Sequence, residues 1–358
     1  MKKLAHNIQV NCPYPRVSAF RSPASVLSTH LSSLTLPADH SMKNDLFTLG
    51  LLGFLASLIL CNVSLSSNAA PIFRPVVLMH GITGNYHDFD EVKKWIEDEF
   101  PGIYVLSMEI GDLPDLDSIF MTMSDQVDEF CTKVKANPNL QKGFNLIGHS
   151  QGTLVARGYI ERCNHPPVYN FISWAGPQAG QFGVPFTNIE WIDKIVSEAP
   201  YDKEIQKKFS FAQYWRNPFD LTSYLDKSLF LADINNEREI KNQTYKDHIL
   251  SLNKMLLIYS TVDTLIKPRE SGWFSFWQAG SDTVLVPVQE RALWKEDWLG
   301  LRALYESQRL IFDKTNCTHG GHTEKECKHF FDVQTYPLLD NYIEGWNEYP
   351  DPKWTFRY

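Results

Sequence analysis

The sequence predicts an α/β fold: a mostly parallel sheet with helices on both faces and a helical insertion around residues 180–250. Three observations lead there. After residue 70, short β-branched runs alternate with segments of helical period. The pentapeptide Gly148-His149-Ser150-Gln151-Gly152 joins an apolar strand directly to a helical pattern. Between 180 and 250 the alternation stops and aromatic residues crowd in, among them Trp191, Phe209, Phe211, Tyr214, Trp215 and Tyr224.

The elements follow in order. Residues 75–79 (PVVLM) form a buried-strand candidate that ends in His80-Gly81, and 103–108 forms a second. Residues 116–135 read as one helix, because Ile119, Met123, Val127, Phe130 and Val134 recur every three or four positions. A third strand at 144–147 (FNLI) leads through the pentapeptide into a helix at 151–163. Strands follow at 169–174, 255–259 and 309–312, and residues 324–344 read as a closing helix.

The 358 residues carry 43% hydrophobic and 21% charged side chains, the composition of a globular chain. A net charge of −8 without a basic stripe argues against nucleic acid as partner. The charge is uneven. Residues 1–41 balance at +3, hold nine Ser or Thr and show no apolar period, so they are read as an unstructured or non-native extension. Residues 42–69 have the pattern of a secretory signal peptide: Lys43, an uncharged 16-residue run from Leu46 to Cys61, then small residues Ser67-Asn68-Ala69. Sixteen residues fall short of the ~20 that span a bilayer, so no stable membrane span is expected. Residues 70–358 then make one domain that enters the secretory pathway.

In that setting four cysteines of the domain suggest two disulfides. Three pairings exist, and Cys131–Cys163 with Cys317–Cys327 is preferred. Asn242-Gln-Thr and Asn316-Cys-Thr are glycosylation sequons. The spacing of His319, His322 and His329 around Cys317 and Cys327 fits no standard metal site, and no metal or cofactor is expected.

The pentapeptide matches G-x-S-x-G with strand before and helix after, the nucleophile elbow of an α/β-hydrolase. The turn is tight enough to need glycine at 148 and 152, and it thrusts the Ser150 hydroxyl outward. Serine is a weak nucleophile and needs a base oriented by an acid. In this fold the acid and then the base follow later strands. Asp263, after the strand at 255–259, is the acid candidate, and Asp282 is the runner-up. His322, behind two glycines and before a helical pattern, is preferred as base over His319. The oxyanion donors fall on the Gln151 N–H and on the Ile82 N–H in the loop after the first strand. His80 and His149 are read as residues that pack or hydrogen-bond around the loops, not as the base, because the base of this fold lies late in the chain.

Longer strings carry a resemblance. VVLMHGITGN, GHSQG, ISWAGPQAGQFGVP, SLFLADINNERE, SGWFSFWQAGS and WLGLRALYESQRLIF resemble the palmitoyl-protein thioesterases, from about residue 72 to 340. GHSQG, PQAGQFG and the Cys317–Cys327 bracket lean toward the thioesterase 2-like branch. The resemblance implies a lysosomal or secreted hydrolase of long-chain fatty acyl thioesters, acting on S-palmitoylated protein or peptide or on acyl-CoA. It puts nucleophile, acid and base on Ser150, Asp263 and His322, and Cys131 and Cys163 resemble a bridged pair of that family. A C16 chain needs a long apolar groove, worth up to ~0.8 kcal/mol per methylene; Trp273, Phe274, Phe276, Trp277 and the aromatic insertion are candidates to line it. A histidine base of pKa ~6.5 would be only ~3% neutral near pH 5, so an activity optimum nearer neutral is expected. The alternatives are a lipase or carboxylesterase on oxygen esters, and a non-catalytic lipid-binding protein.

Overall fold

The computed structural model describes residues 72–184 and 189–354, all within the compact unit Asn68–Tyr358. The extension and signal segments expected at 1–69 lie outside the described residues.

Six strands form one parallel sheet: β1 (Val76–Met79), β2 (Val105–Met108), β3 (Phe144–His149), β4 (Val168–Trp174), β5 (Lys254–Ser260) and β8 (Leu310–Thr315). Their order across the sheet is β2-β1-β3-β4-β5-β8. A parallel sheet covered on both faces is buried throughout, which is why β1 is a continuous apolar run with all four residues buried. β6 (Phe276–Trp277) and β7 (Leu285–Val286) make a separate antiparallel hairpin.

Two apolar layers cover the sheet. One contains Leu78, Trp95, Ile147, Trp174 and Phe331, and packs against α1 (Asp90–Glu99) and the carboxy-terminal turns. The larger layer contains Val77, Phe130, Leu146, Tyr159 and Leu257, and joins the sheet to the insertion.

The helix expected at 116–135 is two helices, α2 (Pro114–Phe120) and α3 (Met123–Ala136). Met121 is extended, and the Thr122 side chain accepts the Asp125 N–H at 3.1 Å, so a capping residue starts a new helix inside an unbroken apolar period. α4 (Gln151–Arg162) follows the pentapeptide. Its fully buried Arg157 donates to Glu161 at 3.0 Å, to the carbonyl of Ile234 at 2.9 Å and to Asn235 Oδ1 at 2.8 Å, tying this helix to the insertion. The insertion carries α5 (Glu190–Glu198), α6 (Lys203–Gln206), α7 (Leu221–Lys227), α8 (Leu231–Ile234) and α9 (Gln243–Leu250). Short α10 (Ala292–Lys295) and α11 (Leu301–Glu306) precede β8.

The closing helix expected at 324–344 does not form. A 3₁₀ turn, the single α turn α12 (Lys328–Phe330), a π turn (Phe331–Thr335) and another 3₁₀ turn (Tyr336–Leu338) replace it. Cys317–Cys327 holds the start of this segment, and Pro337, which has no N–H to donate, sits in its last turn. α1 and the β6–β7 hairpin were not legible from periodicity.

Candidate active site

Ser150 stands between β3 and α4 with φ 53° and ψ −128°. A positive φ is costly for serine and persists only where neighbours over-determine it. They do so here. The Ser150 N–H donates to the Trp174 carbonyl at 2.9 Å, and the Ser150 carbonyl accepts from Thr153 Oγ1 at 2.7 Å. A Cβ on Gly148 would lie 2.7 Å from Thr153 Cα, and one on Gly152 would run into the His80 carbonyl. Both glycines are thus required by close backbone approach.

Asp263 lies three residues beyond β5. Its Oδ1 accepts the N–H groups of Leu265 at 2.8 Å and Ile266 at 3.1 Å, which aims Oδ2 across the cleft. Burial pushes this carboxyl up. The hydrogen bond and charge of His319, with the two N–H donors, outweigh that and leave it below the usual carboxylate range.

The histidine that meets both groups is His319, not His322. His319 Nδ1 is 2.7 Å from Asp263 Oδ2, and His319 Nε2 is 2.8 Å from Ser150 Oγ. In that tautomer Nδ1–H donates to the carboxylate and Nε2 accepts the serine proton. His322 points elsewhere: its Nε2 is 2.9 Å from Thr315 Oγ1 and its Nδ1 is 3.1 Å from the His319 carbonyl. β8 explains the displacement. It runs on to Thr315, beyond the run at 309–312, and Thr318 to Thr323 then turn in 3₁₀ fashion. The turn brings the residue before Gly320-Gly321 over the elbow and folds the one after it inward. Asp282, the runner-up acid, is exposed in the turn of the β6–β7 hairpin.

The Ile82 loop passes against Ser150, since a Cβ on Gly81 would sit 2.9 Å from Ser150 Cβ. Gly81, Ile82, Asp88, Ser150, Leu265 and His319 are among the residues around a cavity of about 250 Å³. Sequence reasoning missed what braces this loop. Ser118 Oγ on α2 accepts the Thr83 N–H at 2.7 Å. The Ser118 carbonyl accepts from the Gln151 side chain at 2.7 Å and lies 2.6 Å from Ser210 Oγ, whose one hydroxyl hydrogen is shared between that carbonyl and Gln151 Oε1 at 2.9 Å. With its side chain committed, Gln151 faces the site through its backbone.

Of the aromatics expected to line an acyl groove, Phe274 and Phe276 are fully buried. Trp273 donates to the Leu257 carbonyl at 2.9 Å and packs edge-on against Tyr259. These three are core residues; Trp277 borders a cavity that also touches Asp263. Exposed apolar side chains also gather beside α2: Leu113, Leu116, Phe120 and Trp191, with the Phe120 and Trp191 rings stacked at 6.1 Å.

Disulfides join Cys131 to Cys163 and Cys317 to Cys327. Asn242 and Asn316 are both exposed, and Asn242 caps α9 by accepting the Thr244 N–H at 3.0 Å. Among the described residues no group of His, Cys, Asp or Glu could hold a metal, and no helix is long and apolar enough to cross a membrane.

A family model described as palmitoyl protein thioesterase matches residues 75–319. The chain belongs to the palmitoyl protein thioesterase family. Palmitoyl-protein thioesterase 3 of Dictyostelium discoideum is 53% identical over 288 residues, 80% of this chain and 99% of that protein. Palmitoyl-protein thioesterase 1 of Caenorhabditis elegans is 36% identical over 256 residues, 68% of this chain and 86% of its own length. The Lysosomal thioesterase PPT2 homolog of Drosophila melanogaster is 31% identical over 294 residues, covering 80% of this chain and 98% of that one. Type 1 and type 2 relatives both match, so identity assigns this thioesterase to the family and not to a branch.

Proposed function

We propose that this member of a thioester-hydrolase family cleaves long-chain fatty acyl thioesters through an acyl-enzyme on Ser150. The observation that carries the reading is the relay Ser150 Oγ–His319 Nε2 at 2.8 Å and His319 Nδ1–Asp263 Oδ2 at 2.7 Å. His319 takes the Ser150 proton as Oγ attacks the thioester carbonyl. Asp263 holds the tautomer and stabilises the imidazolium. The backbone N–H groups of Ile82 and Gln151 receive the oxyanion; losing such a donor costs roughly 3 kcal/mol of barrier. The tetrahedral intermediate collapses by breaking the C–S bond, and the leaving thiolate, whose thiol has pKa ~8.5, takes the proton back from His319. Water then attacks the acyl-serine with His319 as base, and the fatty acid is released.

The acyl chain lies along the exposed surface of Leu113, Leu116, Phe120 and Trp191. α2 carries or borders three of these side chains, and its Ser118 holds the Thr83 N–H of the loop after β1, which ties the helix under this strip to the loop beside Ser150. The type 2 relatives are named lysosomal, and together with the sequence pattern at 42–69 and the exposed sequons at Asn242 and Asn316 they support entry into the secretory pathway and glycosylation there.

The test follows hydrolysis of palmitoyl-CoA, an S-palmitoyl peptide and p-nitrophenyl palmitate by the wild type and by Ser150→Ala. Thioester turnover that disappears in the variant supports the reading. Turnover of the oxygen ester alone moves the protein to the esterases, and a folded protein inert to all three leaves a binding role.

A further inference from the structure

Three histidines meet at one carbonyl oxygen. His149 Nε2 lies 2.8 Å from the main-chain oxygen of His319, and His322 Nδ1 lies 3.1 Å from the same atom. A carbonyl oxygen has two lone pairs and accommodates both N–H donors. The oxygen belongs to the residue whose imidazole reaches Ser150.

The two donors come from different sides. His149 immediately precedes Ser150, so its bond is a second tie between the elbow and His319, beside the 2.8 Å contact from His319 Nε2 to Ser150 Oγ. His322 belongs to the 3₁₀ turn Gly320–Thr323. The His319 carbonyl can only accept, so Nδ1 carries the proton that faces it, and the far nitrogen, Nε2, accepts from the Thr315 hydroxyl at 2.9 Å. The main chain needs such a hold. His319 is followed by two glycines, and a Cβ on Gly320 would meet nothing within 4 Å, so packing does not confine the chain on that side.

We propose that His149 and His322 are positioning residues: they grip the main chain of His319 through its carbonyl and so keep its imidazole within hydrogen-bond reach of Ser150. The inference rests on the Ser150–His319–Asp263 reading above.

Protonation state fits this role. Burial holds both groups below the ordinary imidazole range. The charge of His319 adds to this for both and that of His322 for His149, while the hydrogen bond to the His319 carbonyl and the charge of Asp263 act in the opposite direction on each. Neutral neighbours matter because the His149 ring centroid is only 5.0 Å from that of His319, which becomes cationic during acyl transfer.

The experiment pairs a donor-keeping and a donor-removing substitution at each position. In His149→Gln the amide nitrogen falls near the imidazole Nε2, and in His322→Asn it falls near Nδ1. His149→Phe and His322→Leu remove the donor. Each variant is read by kcat and KM on a palmitoyl thioester, by the rate of Ser150 labelling with a fluorophosphonate, and by thermal melting. Losing one hydrogen bond should lower kcat and the labelling rate about tenfold in the Phe and Leu variants, with KM within about twofold. The Gln and Asn variants should recover to within about threefold of wild type.

Undiminished kcat in folded Phe and Leu variants overturns the proposal, as do equal losses in the amide and apolar members of a pair. If the apolar variants fail to fold, the amide variants decide: a folded Gln or Asn variant with kcat down more than about tenfold also overturns it. His319→Ala and Ser150→Ala separate this from the parent reading. Should either turn over thioester like the wild type, the triad assignment falls, and this inference with it.

Discussion

At the scale of the residue, two histidines three positions apart have different work. His319 touches both Ser150 and Asp263, while His322 touches Thr315 and the His319 carbonyl. His319→Ala should therefore lower kcat by about 10⁴-fold or more, whereas His322→Ala should cost only about tenfold, measured on one thioester substrate. The reverse ranking would return the base to His322. Asp263→Asn should match His319→Ala to within about tenfold, because the amide imposes the wrong imidazole tautomer. That Ser150 and Asp263 come to one candidate site was legible in the sequence, because each follows a strand and the chain order of the fold is fixed. The choice between His319 and His322 was not. It turns on three more residues of β8 and on a 3₁₀ turn, and two glycines next to both candidates carry no side-chain signal to separate them.

Among the elements, the two disulfides brace different things. Cys131–Cys163 spans 32 residues and joins α3 to the end of α4; Cys317–Cys327 spans 10 and brackets His319. Chain entropy gives the longer loop the larger global effect, about 3.7 against about 2.7 kcal/mol. Activity should rank the other way. Cys131→Ala with Cys163→Ala should lower the melting temperature more but leave kcat nearly intact, and Cys317→Ala with Cys327→Ala should lower kcat. Equal kcat in both double variants would show that the His319 loop holds without its disulfide. The apolar strip beside α2 gives a second element-scale expectation. Phe120→Ala and Trp191→Ala should reduce kcat/KM on a C16 thioester at least about tenfold more than on a C8 one, since a longer chain covers more of the strip. A loss independent of chain length would place the acyl group elsewhere. Both features show where periodicity misleads. The apolar period at 119–134 persists through the break at Met121–Thr122, because both halves face one core. Yet α2 ends at that break with Ser118 bonded to the Thr83 N–H of the loop after β1 and with Phe120 exposed.

For the molecule as a whole, pH acts through buried imidazoles. His80, His149 and His322 all lie below the ordinary value, in each case chiefly because burial disfavours the charged ring. The unfolded chain, with imidazoles near 6.5, therefore binds more protons than the folded one below that pH. Their contribution to stability is complete above about pH 6.5 and is lost as pH falls through 6.5 toward the folded values. Two carboxyls oppose them: burial pushes Glu161 up to about 8 and also raises Asp88, so the folded chain keeps protons there that the unfolded one has released. Three imidazoles outweigh two carboxyls, and a net difference of about one proton changes stability by about 1.4 kcal/mol per pH unit. The melting temperature should therefore drop by several degrees between pH 7 and pH 5, with the steepest change below about 6.5. Unfolding near pH 6 should take up protons, measurable as a buffer-dependent heat in calorimetry. A melting temperature that stays level or rises on acidification, as suits an acidic compartment, would show that these histidines gain partners for their charged form, and the neutral His149 and His322 assigned to the His319 carbonyl would then have to be abandoned.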